Sequence, residues 1–118
     1  MSRGILRLAD YLAHILQAIA RIHQYCEDLD EASFLANELV QDAVIRNLEI
    51  IGEASRNIER VAPAFVAAHP ELPFSFAYDM RNLLAHAYYK VDLSVVWKTI
   101  VRDLPYLRVQ VTLAIKDI

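Results

Sequence analysis

The amino-acid sequence predicts an all-α fold, and three observations lead to this prediction. Hydrophobic residues make up 56% of the 118-residue chain, which has only 2 glycines and 4 prolines. Such a composition is typical of a helical bundle with short loops. Apolar residues recur at three- and four-residue steps near the start of the chain, and no segment shows the alternation of a strand. We therefore expect one domain covering residues 1–118, with four main helices and one short helix.

The first two main helices are predicted from apolar spacing and from capping residues. Apolar residues three and four positions apart run from Ile5 to Cys26, which is the pattern of a buried helical seam. Asp30 can cap the second helical region, expected at about residues 32–61 with an irregularity near Asn37. Five charged residues of this region share one narrow side and form either solvated ion pairs or one wall of an active cleft: Arg46, Glu49, Glu53, Arg56 and Arg60.

Prolines and one aspartate divide the second half of the chain. A short helix is predicted within residues 63–70 and a third main helix within residues 73–90, because proline is favoured in the first turn of a helix and disfavoured inside one. Asp92 can cap a last helical region of residues 93–117. Pro105 should kink that region or end its first half.

Charge and hydrophobicity limit the classes of partner that we expect. The net charge of −3 argues against a protein that coats nucleic acid through a general basic surface. The segment 79–108 nevertheless has five basic residues against three acidic ones, so a local site for RNA stays possible. The high apolar fraction favours self-association. No apolar run approaches the roughly 18 residues of a membrane span, and no secretory signal is visible, so we expect a cytoplasmic protein without a membrane partner.

The cysteine and histidine content does not indicate a metal centre. The only cysteine, Cys26, excludes an intrachain disulfide and a cysteine-based zinc site, and its apolar spacing places it in the core. No Glu-x-x-His pair of the kind used by di-iron bundles occurs. We therefore predict no metal and no cofactor, since the four histidines are scattered: His14, His23, His69 and His86.

A polar stretch in the third main helix is the most informative functional feature of the sequence. The segment MRNLLAHAYYKVD, residues 80–92, places Arg81, Asn82, His86 and Tyr88 close together in an otherwise aliphatic region. On a helical wheel with about 100° per residue, these four side chains lie outside the apolar side. Arg81 and His86 are separated by roughly 140° around the axis. They can converge only if the helix unwinds near His86 or if two copies of the helix face each other in a homodimer.

The chemistry that suits this group is phosphodiester cleavage in RNA. Arg81 is a permanent cation whose planar fork fits phosphate oxygens, and His86 can move a proton near neutral pH. Asn82 can orient the histidine or donate to a phosphate oxygen, and Tyr88 can donate a hydrogen bond or stack on a base. The 2′-hydroxyl of RNA is an internal nucleophile, so no metal is required. Taken alone, the same residues are better explained as a polar helix face with interfacial tyrosines, because this spacing is common by chance.

Longer segments around this group resemble a known family. RNLLAHAY, residues 81–88, resembles the Arg-x4-His-x-Tyr motif of HEPN ribonucleases, and more narrowly the HepT toxin family. AVIRNLEIIGEA, residues 43–54, is similar to the second-helix signature of that family, and residues 79–107 resemble its C-terminal half. The resemblance implies an HEPN-type helical bundle that forms a homodimer. Glu53 lies in the second-helix segment, and we expect it to be structural or to line the cleft.

The resemblance also implies a function and a set of site residues. It implies a metal-independent endoribonuclease in which Arg81 and His86 are catalytic and Asn82 supports them. It implies the toxin of a type VII toxin–antitoxin system, whose nucleotidyltransferase antitoxin transfers AMP onto Tyr88. Two alternatives stay open: a catalytically silent HEPN module that binds nucleotide or a nucleotidyltransferase partner, and a purely structural helical dimer.

Overall fold

The structure, a computed structural model, consists of helices joined by short connections. It describes the backbone of residues 3–86 and 91–118, and the side chains of residues 7–75, 77–82, 84 and 91–118. Within these residues there is no strand, which confirms the predicted all-α fold. The elements are α1 (Arg3–Cys26), α2 (Glu31–Leu35), α3 (Glu38–Val61), α4 (Pro63–Ala68), α5 (Phe74–His86), α6 (Leu93–Lys98), a π-helical segment (Thr99–Asp103) and α7 (Leu104–Ile115).

Helix α3 is the central element, because α1 and α5 both pack along it. The predicted apolar seam of α1 is buried, and fully burying such a side chain contributes about 1.5–3 kcal/mol. Burial raises the pKa of the Cys26 thiol, which favours the neutral thiol over the nucleophilic thiolate and agrees with its predicted place in the core. The buried residues of the seam are Leu8, Leu12, Ile15, Ile19, Ile22 and Cys26.

The predicted irregularity near Asn37 is a break between two helices. Asn37 begins α3 by accepting a hydrogen bond from the backbone N–H of Val40 at 3.1 Å. Gln41 donates from its side chain to the carbonyl oxygens of Phe34 and Leu35, at 2.9 and 3.1 Å. These bonds satisfy carbonyl groups that the end of α2 leaves without helical partners. The second helical region is therefore divided, and the structure has two short helices before α5 where one was predicted.

Asp30 and Asp92 act as the helix caps that the sequence predicts. The Asp30 carboxylate accepts from the Ser33 backbone N–H at 2.8 Å, and the Ser33 hydroxyl accepts from the Asp30 backbone N–H at 2.9 Å. This reciprocal pair is a capping box at the start of α2. Asp92 accepts from the Ser94 backbone N–H at 3.0 Å at the start of α6.

Pro105 follows a widened turn of the last helical region. The backbone N–H of Leu104 donates to the carbonyl oxygen of Thr99, five residues earlier, which is the π-helical pattern. Pro105 then occupies the first turn of α7, where its missing N–H is tolerated. The predicted kink is thus a π-helical segment that joins α6 to α7.

The predicted end of the third main helix and the predicted absence of a membrane span concern the lengths of the helices. Helix α5 is described up to His86, and its predicted end near Lys90 lies outside the described residues. Among the helices that the structure describes, none has both the length and the hydrophobicity needed to cross a membrane.

Candidate functional site

A glycine in the middle of α3 determines how closely α5 approaches it. Gly52 is buried, and a Cβ atom built there would overlap the Cβ of Arg81 and lie 2.7 Å from the carbonyl oxygen of Ala77. Glycine inside a helix costs about 1 kcal/mol relative to alanine, so close packing of the two helices is its structural reason. The contact fixes the point at which the Arg81 side chain leaves α5.

The Arg81 guanidinium is held by two neighbouring side chains. Its Nε atom lies 3.2 Å from Oε2 of Glu53 on α3, in an ion pair. Its Nη1 donates a hydrogen bond to Oδ1 of Asn82 at 3.0 Å. Neither contact uses Nη2. A guanidinium has five N–H donors in a rigid fork, so the anchored group keeps donors for a phosphate.

Asn82 lies beside the arginine and contacts it directly, and its supporting role stays a prediction. The hydrogen bond from Arg81 commits the amide oxygen of Asn82. The amide nitrogen is then the atom of Asn82 that can donate to a phosphate oxygen or to a histidine ring. The structure thus brings together two of the four site residues that the sequence predicts and adds Glu53 to them.

The other two predicted site residues are not placed by the described part of the chain. His86 is the last residue of α5 that the structure describes, and its side chain lies outside the described atoms. Tyr88 lies wholly outside the described residues. Their roles as a catalytic residue and as the acceptor of AMP stay predictions.

Arg81 also lines a cleft with a volume of about 400 Å³ between α1, α3 and α5. Helix α3 contributes one polar side of this cleft, and α1 contributes two rings. The Tyr11 and His14 rings have centroids 6.1 Å apart and an interplanar angle of 72°, an edge-to-face arrangement. The other polar residues that line the cleft are Arg46, Glu49, Glu53 and Asn57.

Residues of the charged stripe of α3 make partly exposed ionic contacts and also line a cleft. Arg46 and Glu49 form a loose pair, 4.0 Å apart, and the Arg56 guanidinium carbon lies 5.5 Å from the centre of the Tyr78 ring on α5. Three members of the stripe, Arg46, Glu49 and Glu53, also line the cleft beside Arg81. The ion pairs are partly exposed, and such pairs typically contribute only about 0.2–1 kcal/mol. A phosphate can therefore compete for these arginines.

In the part of the chain that the structure describes, no group of three or more histidine, cysteine, aspartate or glutamate side chains is arranged to hold a metal ion.

Comparison with known proteins assigns the chain to a family. Residues 15–113 match the model of the family described as "Ribonuclease HepT-like". The chain is 44% identical to "Probable ribonuclease HepT" of Thermococcus cleftensis over 99 residues. This alignment covers 84% of this chain and 87% of that protein. It is 35% identical to a "Putative RNase" of Methanocaldococcus jannaschii over 86% of this chain and 90% of that protein. No solved structure matches significantly. The chain belongs to the HepT-like ribonuclease family.

The family match confirms the resemblance drawn from the sequence and, at the level of the family, the predicted enzyme class of ribonuclease. A third relative, a "Putative RNase" of Caldanaerobacter subterraneus subsp. tengcongensis, is 33% identical over 86% of this chain and 88% of that protein. The matched region includes Glu53, Arg81 and Asn82. Two cleft residues of α1, Tyr11 and His14, precede it.

Proposed function

We propose that the protein is a metal-independent endoribonuclease, built as a single HEPN domain, that acts as the toxin of a type VII toxin–antitoxin system. One observation supports the proposal. In this member of a ribonuclease family, Glu53 and Asn82 anchor Arg81 at the edge of a cleft through its Nε and Nη1 atoms, and neither contact uses Nη2. A fixed guanidinium fork is suited to a phosphate, since it can donate two parallel hydrogen bonds to its oxygens.

The proposed reaction uses the 2′-hydroxyl of the RNA. Arg81 binds the oxygens of the scissile phosphate and stabilises the charge that develops on them. His86 removes the 2′ proton as a general base. The 2′ oxygen then attacks phosphorus, and the bond from phosphorus to the 5′ oxygen breaks. The 5′ oxygen takes up a proton from solvent, to which His86 returns the proton that it removed. The products are a 2′,3′-cyclic phosphate and a 5′-hydroxyl end.

We also propose that the active form is a homodimer whose interface includes α5. The reason is the separation of Arg81 and His86 by roughly 140° on a straight helix, which a second copy of the helix can bridge. The exposed large apolar side chains of the described residues do not mark this interface, because none of them lies on α5. Those on the π-helical segment and α7 are Val101, Tyr106, Val109 and Leu113.

The proposed antitoxin is a nucleotidyltransferase that transfers AMP onto Tyr88. On a continuous helix, residues 81 and 88 are two turns apart on one side, about 10.5 Å along the axis. An AMP group on Tyr88 would bring a phosphate charge and bulk towards Arg81. It would compete for the guanidinium and repel the RNA backbone. The modification would therefore silence the enzyme at its phosphate-binding position.

The function can be tested by expressing the protein alone and then with its cognate nucleotidyltransferase. The wild type should stop growth and degrade RNA, His86→Ala should do neither, and the nucleotidyltransferase should restore growth. Growth arrest that is equal for the wild type and His86→Ala, with intact RNA, would contradict a ribonuclease toxin. Purified wild type that binds nucleotide or the nucleotidyltransferase without cutting RNA would identify the catalytically silent module, and a dimer that binds neither of these and does not cut RNA would identify the structural alternative.

A further inference from the structure

We propose that the cleft beside Arg81 is a subsite for one nucleotide of single-stranded RNA, adjacent to the phosphate that Arg81 holds, with Tyr11 and His14 of α1 as its stacking wall. This inference rests on the proposed ribonuclease function and deepens it, because it names the group that the enzyme recognises next to the cut. It assigns a role to α1, which the sequence motif does not include.

The size of the cleft matches a single nucleotide. Its volume is about 400 Å³, near the lower end of the roughly 300–1,000 Å³ of small-molecule sites. Arg81 is one of the residues that line it. A single nucleotide that follows the bound phosphate along the strand can therefore be accommodated in this half-open cleft.

The α1 side of the cleft is suited to an unstacked base. Tyr11 and His14 are one helical turn apart, and their rings lie 6.1 Å from each other. Tyr11 is half-buried and packs against the core, whereas His14 is exposed. Proteins that bind single-stranded RNA stack the splayed bases on aromatic side chains, histidine included.

The α3 side supplies hydrogen-bonding groups and a second cation. The Asn57 amide offers both a donor and an acceptor to the edge of a base. Arg46 has a side chain that is 71% exposed and only a loose contact with Glu49, so it can turn towards a further phosphate. The carboxylates of Glu49 and Glu53 disfavour a phosphate inside the cleft. The uncharged base and ribose are therefore the part of the nucleotide that belongs there.

A groove with only a structural role would not need this combination. Solvated ion pairs account for the charged residues of α3. Packing against the core accounts for part of the Tyr11 ring, but neither packing nor ion pairing accounts for the exposed His14 ring or for the amide of Asn57 at the cleft. An aromatic wall, an amide and a cation around a space of one nucleotide together indicate recognition of a nucleotide.

The first test measures the binding of a short single-stranded RNA by fluorescence anisotropy, in a His86→Ala background that leaves the RNA uncut. Tyr11→Leu keeps the apolar bulk and removes the ring, and His14→Ala changes an exposed residue. Each should weaken binding, by roughly 5- to 150-fold if the ring stacks on a base. The matched controls on the same helix, Tyr25→Leu and His23→Ala, change residues that do not line this cleft and should leave the affinity unchanged.

The second test separates this inference from the function on which it rests. In the otherwise wild-type enzyme, Tyr11→Leu and His14→Ala should raise KM far more than they lower kcat, and they should change which nucleotides flank the cut. If the wild type cuts RNA and both variants keep its Kd, KM and cut-site preference, the subsite is wrong and the ribonuclease stands. If the wild type neither binds nor cuts RNA, the proposed function fails first and the subsite fails with it. His14→Ala still decides the matter if Tyr11→Leu does not fold.

Discussion

Nε of Arg81 lies 3.2 Å from Oε2 of Glu53, so an ion pair joins α5 to α3 at the cation of the candidate site. The Glu53 side chain is 53% exposed and that of Arg81 32%, so this pair contributes little to folding. The main effect of the ion pair is to orient the Arg81 guanidinium. A guanidinium that is already oriented needs less ordering when it binds a phosphate, although the carboxylate also repels the RNA that approaches.

Glu53→Ala should therefore have opposite effects on binding and on turnover. Binding of RNA at low salt should tighten, because one negative charge beside the phosphate site is removed. The kcat should fall by roughly 10- to 100-fold, because Arg81 loses its orientation. Glu53→Gln, which keeps an oxygen acceptor, should retain more of the turnover. Steady-state kinetics and equilibrium binding check both effects, and an unchanged kcat in Glu53→Ala would show that the carboxylate does not position Arg81.

Gly52→Ala should destabilise the fold even though alanine is the better helix former. The new Cβ would overlap the Arg81 side chain and crowd the Ala77 carbonyl, and overpacking of this kind typically costs about 1–3 kcal/mol. The shift of α5 should also reduce RNA cleavage. Urea unfolding measures the stability, with Glu59→Ala on the same helix as the control for helix propensity. A variant as stable and as active as the wild type would show that α5 does not depend on this contact.

The capping box of α2 should make stability depend on pH in the acid range. Hydrogen bonds from the Ser33 backbone and hydroxyl lower the pKa of Asp30 below its usual 3.8. The stabilisation is therefore present above that value and is lost as the pH falls through the lowered pKa. Asp30→Ala should unfold more easily than the wild type at neutral pH, and this difference should shrink below about pH 4. Asp30→Asn keeps an uncharged cap, so its melting temperature should not show this loss, and an equally steep loss would assign the effect to other groups.

Tyr88 should be the residue that accepts AMP. Incubation with ATP, magnesium and the cognate nucleotidyltransferase should add about 329 Da per AMP to a peptide that contains Tyr88, and Tyr88→Phe should abolish the addition. Tandem mass spectrometry must distinguish Tyr88 from the adjacent Tyr89. Modification that persists in Tyr88→Phe and maps to Tyr89 would move the assignment, and a modified protein that still cleaves RNA normally would overturn the proposed inhibition.

Features that depend on one helix were predictable from the sequence. The buried seam of α1 follows from its spacing, and the caps at Asp30 and Asp92 follow from the residue type, because a cap bonds to the backbone a few residues away. Asn37 was expected only to mark an irregularity, and the structure shows that it caps α3. The family resemblance also came from contiguous segments, and the family match supports it. Arg81, Asn82, His86 and Tyr88 were predicted as site residues in this way.

Features that depend on contacts between helices were not predictable. The spacing of α3 shows that Glu53 belongs to a charged stripe, but it does not show which turn of α3 faces Arg81. Nothing in α1 indicates that Tyr11 and His14 share a cleft with α5, since their positions follow from the packing of both helices on α3. Gly52 did leave a signal, because a glycine inside a helix calls for a packing reason.

If Arg81 and His86 cut RNA through its 2′-hydroxyl, the chemical ends of the products from a defined single-stranded RNA will reveal it. With EDTA present, the purified wild type should generate 2′,3′-cyclic phosphate and 5′-hydroxyl ends. Arg81→Ala and His86→Ala should each lower the rate by at least about 100-fold and keep the helical circular dichroism of the wild type. Undiminished cleavage by both variants, 5′-phosphate products, or loss of wild-type activity in EDTA would contradict this mechanism.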